Sequence, residues 1–112
     1  MGGKRKTWYL RYFVLQPGMF SYYKSEPKGK PLGEVKLTRH TKINYPKPGE
    51  KTHSSYQFSI HSESAWNKRS DYVIAATNEK DMKQWIEAFK MASGILPTRP
   101  EPEERNAIVN GN

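Results

Sequence analysis

Apolar and polar residues follow a short-period pattern from residue 7 to residue 76, which predicts a series of β-strands. The first segment, residues 7–15, is joined to the second by Gln16-Pro17-Gly18, a combination typical of a tight turn. Apolar residues recur or run together in the further predicted strands, which are residues 19–24, 33–37, 42–45, 56–61 and 72–76. This order predicts antiparallel neighbours joined by short loops.

The period changes after the last predicted strand. Met82, Trp85, Ile86 and Phe89 have the spacing of one stripe of an amphipathic helix. Trp85 is therefore predicted to lie in the core. Residues suited to cap or end the helix flank this stripe, namely Thr77 or Asn78 before it and Gly94 with Pro97 after it.

Residues 1–94 are predicted to form one mainly β domain, a small antiparallel barrel or sandwich with the helix packed over one opening. A chain of 112 residues is long enough for one such domain with a modest core. Residues 95–112 are rich in Pro, Glu and Asn and show no periodicity. We therefore expect them to be a flexible tail or linker.

One charged residue falls on a predicted core face. In the first strand, Arg11 alternates in phase with Phe13 and Leu15. A guanidinium is not left unpaired in an apolar interior. Arg11 is therefore expected either to pair with a carboxylate, Glu34 or Asp71, or to point from an open end of the barrel toward an anion.

The positive charge of the chain is concentrated in its first half. The formal net charge is +8; residues 1–51 hold 12 Lys/Arg against three Glu, whereas residues 52–112 hold seven against eight acidic residues. Such asymmetry favours an anionic partner, such as an inositol phosphate, an acidic membrane surface or a nucleic acid. A solvated basic surface is the simpler alternative.

The sequence gives little support for catalysis or for a cofactor. There is no cysteine, and His40, His53 and His61 lack the spacing of metal ligands. Gly2-Gly3 does not form a phosphate-binding fingerprint. We therefore predict no enzymatic activity, no metal and no cofactor, and a cytoplasmic location. Nucleic-acid binding is disfavoured because no recognised RNA-binding or oligonucleotide-barrel motif is present.

The order of several short motifs resembles the pleckstrin homology (PH) domain family over residues 3–94. The motifs are Lys6-Thr7-Trp8, Arg11-Tyr12-Phe13-Val14-Leu15, Tyr22-Tyr23, Pro31-Leu32-Gly33, Tyr72-Val73-Ile74-Ala75-Ala76 and Trp85 in the final helix. One element of the family is missing, since the chain starts where the loop after the family's first strand would lie. The strand at residues 7–15 then has an open edge. Either the chain is truncated at this point or another segment pairs with that edge, and residues 106–109 could do so.

The resemblance implies a phosphoinositide site at the open end of the barrel. Its residues would be Lys4 and Lys6 from the first loop, Arg11 from the following strand, Tyr23 from the next, and Lys68 and Arg69 from the loop before the last strand. Cations converging from separate segments suit phosphomonoester groups. Tyr23 could instead pack inside the barrel, and Lys68 and Arg69 could be solvated.

The chain departs from the strong binders of this family at two positions. Tyr9 and Leu32 stand where such members tend to carry basic residues, although Lys28 and Lys30 lie near the second position. The resemblance thus predicts a signalling or adaptor module recruited to the cytoplasmic face of membranes, within a larger multidomain protein. The alternative is a protein-interaction module of a signalling or GTPase-regulating protein with weak lipid affinity.

Overall fold

The computed structural model describes residues 7–46, 56–67, 69–97 and 101–111. Within these ranges the chain forms seven strands and one helix. Their bounds are β1 (Thr7–Gln16), β2 (Met19–Tyr23), β3 (Gly33–Lys36), β4 (Lys42–Asn44), β5 (Gln57–His61), β6 (Asp71–Ala75), α1 (Glu79–Ala92) and β7 (Glu103–Gly111). Each predicted strand and the predicted helix is present, with ends that differ by a residue or a few.

The strands form one antiparallel sheet in the order β3-β2-β1-β7-β6-β5-β4. The predicted hairpin is confirmed, because Leu15 pairs with Phe20 and Gln16 with Met19 across the Pro17-Gly18 turn. The fold is therefore mainly β with one helix, as the sequence predicts.

The last strand corrects the prediction of a flexible tail. Residues 103–111 lie between β1 and β6 and pair with β1 from Leu15↔Glu103 to Thr7↔Gly111. The strand pairs with β6 at Ile74↔Val109 and Ala75↔Ile108. The physical reason is the open edge of β1, which β7 covers, while Ala107 and Val109 add apolar side chains to the core.

The core is dominated by aromatic side chains from the sheet and the helix. Phe13, Phe20, Trp85 and Phe89 have no exposed surface. Their rings meet edge to face, with centroids 4.8 Å apart for Phe13 and Phe20 and 5.3 Å apart for Phe13 and Trp85. The prediction that Trp85 belongs to the core is thus confirmed.

The helix begins and ends at residues whose chemistry favours these positions. Asn78 is the N-cap, and its side chain accepts a hydrogen bond from the backbone N–H of Asp81 at 2.8 Å. After the last turn, Gly94 adopts a positive φ of 80°, which a residue without Cβ accepts readily. Of the two predicted caps, Asn78 is the one used.

A partly buried ionic group fastens β7 to the helix. The Arg105 guanidinium donates to Asp81 Oδ1 through Nη2 at 2.8 Å and through Nε at 3.1 Å. Its central carbon lies 4.0 Å from the centroid of the Trp85 ring, and it also pairs with Glu103. Because Asp81 belongs to the first turn of α1, this cluster fixes the position of β7 beside the helix.

Candidate functional site

Residues from β1, β2, β3, β6, β7 and two loops line a cavity at one end of the sheet, here called the mouth. Its lining includes Tyr9, Arg11, Tyr22, Lys30, Leu32, Glu34, Trp66, Arg69, Tyr72 and Asn110. Three of them are cations and one is a carboxylate. The mouth is therefore a mainly basic cavity with aromatic walls.

Arg11 lines the mouth. Its guanidinium carbon lies 4.4 Å from the centroid of the Tyr9 ring, and Nη1 donates to the Leu10 carbonyl at 3.3 Å. Among the described residues, neither Glu34 nor Asp71 forms an ion pair with it; the Asp71 carboxylate is hydrogen-bonded to His61 at 2.6 Å. This geometry favours the open-end interpretation of Arg11 over an internal pair.

Arg69 also lines the mouth, and more hydrogen bonds hold it than hold Arg11. Nε donates to the Asp71 carbonyl at 2.7 Å, while Nη2 donates to the Asn110 backbone carbonyl at 2.9 Å and to Asn110 Oδ1 at 2.6 Å. The guanidinium also lies 4.0 Å from the centroid of the Tyr72 ring. Two arginines from different parts of the chain thus line the same cavity.

Two tyrosines, Tyr22 and Tyr72, line the same cavity. The rings of Tyr22 and Tyr72 meet edge to face with centroids 5.9 Å apart. Burial of its hydroxyl, followed by the proximity of Tyr22, raises the pKa of Tyr72 far above its ordinary value. Tyr72 is therefore neutral at physiological pH, and it does not oppose an anionic ligand.

The structure places the two neighbouring tyrosines of β2 differently with respect to the mouth. Tyr22, rather than Tyr23, lines the mouth, because it shares the inward face of β2 with Phe20. Tyr23 follows it on the opposite face of the strand. Lys4, Lys6 and Lys68 lie outside the described residues, so the mouth as described brings together only Arg11 and Arg69 of the six predicted site residues.

Three further residues line the mouth besides the predicted ones, namely Trp66, Asn110 and Lys30, of which Lys30 was weighed only as a substitute. Lys30 precedes Pro31-Leu32-Gly33 and is detectable from its position in a basic loop. Trp66 and Leu32 keep 52% and 55% of their surface exposed, so apolar groups lie at the rim. No sequence feature marks Asn110 as a site residue, because its role depends on the pairing of β7.

Comparison with known families agrees with this architecture. Residues 1–94 match the family model described as the PH domain. The chain belongs to the PH domain family. The resemblance identified in the sequence is thereby confirmed, and PH domains as a family are non-catalytic modules.

Several curated proteins contain a similar PH domain. The chain is 28% identical over 93 residues to Rho GTPase-activating protein 24 of Rattus norvegicus, covering 80% of this chain and 12% of that protein. It is 34% identical over 89 residues to a PH domain-containing protein of Dictyostelium discoideum, covering 80% and 18%. It is 30% identical over 106 residues to Switch-associated protein 70 of Gallus gallus, covering 95% and 17%. The chain thus spans less than a fifth of each of these relatives.

A solved structure supports the fold independently. The solution structure of the PH domain of human KIAA0053 protein is similar with a TM-score of 0.56, over 88% of this chain and 98% of that one, at 22% identity. At this identity the similarity concerns the fold alone. The PH-like arrangement of an antiparallel sheet and one helix is confirmed.

Proposed function

We propose that this PH domain is a non-catalytic membrane-targeting module that binds phosphoinositide headgroups at the mouth. The observation that carries the proposal is the convergence of Arg11 and Arg69 on one cavity, with Lys30 at its edge. A phosphomonoester bears close to two negative charges and several acceptor oxygens, so donors that approach from separate segments can bind it together. Recruitment would occur at the cytoplasmic face of a membrane, as part of a larger protein.

The distribution of charge supports a membrane surface as the source of the ligand. Residues 1–51, which contain β1 and the loop of Lys30, hold 12 Lys/Arg against three Glu and therefore carry all of the excess positive charge. Anionic lipids attract such basic surfaces, at about 1 kcal/mol for each cation close to the membrane. No helix within the described residues is long and apolar enough to span a bilayer. Electrostatic recruitment predicts binding that weakens as salt is added.

The exposed apolar side chains at the mouth support an orientation in which the mouth faces the membrane. Trp66 and Leu32 line the mouth with more than half of their surface exposed. Indole rings are favoured in the interfacial region of a bilayer. A headgroup bound between Arg11 and Arg69 would place both apolar side chains toward the lipid.

Vesicle co-sedimentation tests the proposal. The chain is mixed with phosphatidylcholine vesicles that contain or lack phosphatidylinositol bisphosphate, and Arg11→Ala is compared with Lys80→Ala, a matched loss of one charge on the exposed surface of α1. We expect Arg11→Ala to weaken binding by about fivefold, equivalent to the ~1 kcal/mol of one surface cation, and Lys80→Ala to have little effect.

Other results would overturn the site or the ligand. Equal binding by both variants would show that Arg11 is outside the binding site. Absence of lipid binding by a chain that still captures a protein partner would favour the protein-interaction alternative. Preference for a single-stranded oligonucleotide at matched salt would favour nucleic acid.

A further inference from the structure

The C-terminal strand supplies part of the mouth as well as part of the sheet. Val109, Asn110 and Gly111 line the mouth at the end of β7. The opposite end of the strand is anchored on α1 through Arg105 and Asp81. The last residues of β7 therefore join the sheet and the proposed ligand site.

One connection runs from Gly111 to Arg11. A Cβ atom on Gly111 would lie 2.5 Å from Cε2 of Tyr9, so the Tyr9 ring rests directly on the glycine backbone. The Arg11 guanidinium in turn lies over that ring, 4.4 Å from its centroid. Gly111 thus provides the surface that sets the position of Tyr9, and Tyr9 orients Arg11.

A second connection runs from Asn110 to Arg69. Asn110 is 8% exposed, and its Oδ1 accepts from Arg69 Nη2 at 2.6 Å and from the Val73 backbone N–H at 2.7 Å. The Asn110 carbonyl accepts from the same Arg69 nitrogen at 2.9 Å. Next to the last paired residues of β6 and β7, the Asn110 side chain thus accepts the hydrogen bond of a β6 backbone N–H. The same residue also fixes Arg69.

From these connections we propose that docking of β7 in the sheet is coupled to ligand binding at the mouth. Asn110 and Gly111 act as positioning residues for phosphoinositide binding. The inference rests on the proposed function. When β7 is docked, both arginines are held toward the mouth; when it leaves, Arg69 loses the acceptors on Asn110 and Tyr9 loses its support. Events that withdraw β7 from the sheet would then weaken membrane binding.

Linkage makes the effect reciprocal. If docking of β7 raises the affinity for a headgroup, the bound headgroup must favour docking of β7 by the same factor. The source of the coupling is preorganisation, since a flexible arginine otherwise loses its conformational freedom when the ligand binds. Ligand binding at the mouth would thereby stabilise the docked state of the C-terminal strand.

Two matched substitutions on β7 test the role of Asn110. Asn110→Ala removes the acceptor of Arg69, while Asn106→Ala makes the same change at an exposed position away from the mouth. With phosphatidylinositol bisphosphate vesicles, we expect Asn110→Ala to bind roughly fivefold to tenfold more weakly than the parent, and Asn106→Ala to bind equally well. Equal affinity of Asn110→Ala and the parent would overturn the inference and leave the proposed function intact.

Hydrogen exchange supplies a readout that a purely structural role of Asn110 would not change. A soluble inositol trisphosphate should slow exchange of the β7 amides in the parent and slow it less in Asn110→Ala. Ligand binding without any change in β7 exchange would contradict the coupling. If the parent binds neither the vesicles nor the soluble headgroup, the proposed function fails and the inference fails with it.

Discussion

The Arg105 guanidinium carbon lies 4.0 Å above the centroid of the Trp85 ring and so joins the C-terminal strand to the helix. Trp85 has no exposed surface, and Asp81 binds the same guanidinium from the first helical turn. A stacking contact with a buried ring and a partly buried ion pair thus act on one side chain. This arrangement explains how a strand with few apolar residues is held in the middle of a sheet.

Arg105→Ala should destabilise the domain. The change removes the stacking contact with Trp85 and leaves Asp81 without its cation, and together these effects should lower the free energy of unfolding by about 1–3 kcal/mol. Urea denaturation, with Lys80→Ala as a surface control, measures the difference. An Arg105→Ala chain as stable as the control would show that this cluster does not hold β7.

Gly111→Val should disturb the mouth through steric overlap with Tyr9. Added side-chain atoms would displace the ring, at a cost of about 1–3 kcal/mol in the free energy of unfolding. The same substitution in a Tyr9→Ala background should be milder, because the opposing ring is absent. A double-mutant cycle from denaturation curves tests the contact, and additive effects of the two changes would contradict it.

Removal of β7 should destabilise the domain and expose two strand edges. A chain that ends at Pro97 loses the buried Ala107 and Val109 and the pairing of β1 over nine positions. We expect a loss of about 3 kcal/mol or more in unfolding free energy, together with concentration-dependent self-association. Calorimetry and sedimentation velocity would detect both; an unchanged unfolding midpoint would contradict the structural role of β7.

The His61–Asp71 pair predicts a pH dependence of stability. The hydrogen bond with Asp71 raises the pKa of His61, and the same bond with His61 lowers the pKa of Asp71. The histidine contribution is fully present below its ordinary value of 6.5 and is lost as pH rises through the raised pKa; the aspartate contribution is present above 3.8 and is lost as pH falls through the lowered pKa.

The pair should therefore stabilise most between these two ordinary values. Titration of the His61 ring signals by NMR measures the shift directly. Asp71→Asn should move the pKa of His61 downward, since it removes the carboxylate that favours the charged ring. A pKa of His61 that is unchanged in Asp71→Asn would show that Asp71 is not the cause.

The sequence predicted those elements that have strong local patterns. The stripe of Met82, Trp85, Ile86 and Phe89 specifies the helix without reference to the rest of the chain. By contrast, β7 follows a Pro- and Glu-rich segment and carries only Ala107 and Val109 toward the core. Its existence depends on distant partners in β1. The β-propensity of a segment predicts little where pairing with other strands determines whether the strand forms.

The part of the candidate site that could be predicted from the sequence depends on the alternation of side chains along a strand. Arg11 was placed by its alternation with Phe13, and it does line the mouth. Tyr23 was predicted from the family resemblance, whereas Tyr22 lines the mouth, because neighbouring residues of a strand face opposite sides. Asn110 was out of reach, since its hydrogen bonds with Arg69 and Val73 arise from tertiary pairing.

The most direct test of the proposed site is an NMR titration of the arginine Nε–H signals with a soluble inositol trisphosphate. Binding at the mouth should shift the signals of Arg11 and Arg69, while those of Arg39 and Arg105, which do not line the cavity, should stay in place. The shifts should saturate, and in Arg11→Ala the shift of Arg69 should need about fivefold more ligand to saturate. Saturable binding that shifts Arg39 or Arg105 and leaves Arg11 and Arg69 unchanged would contradict the account.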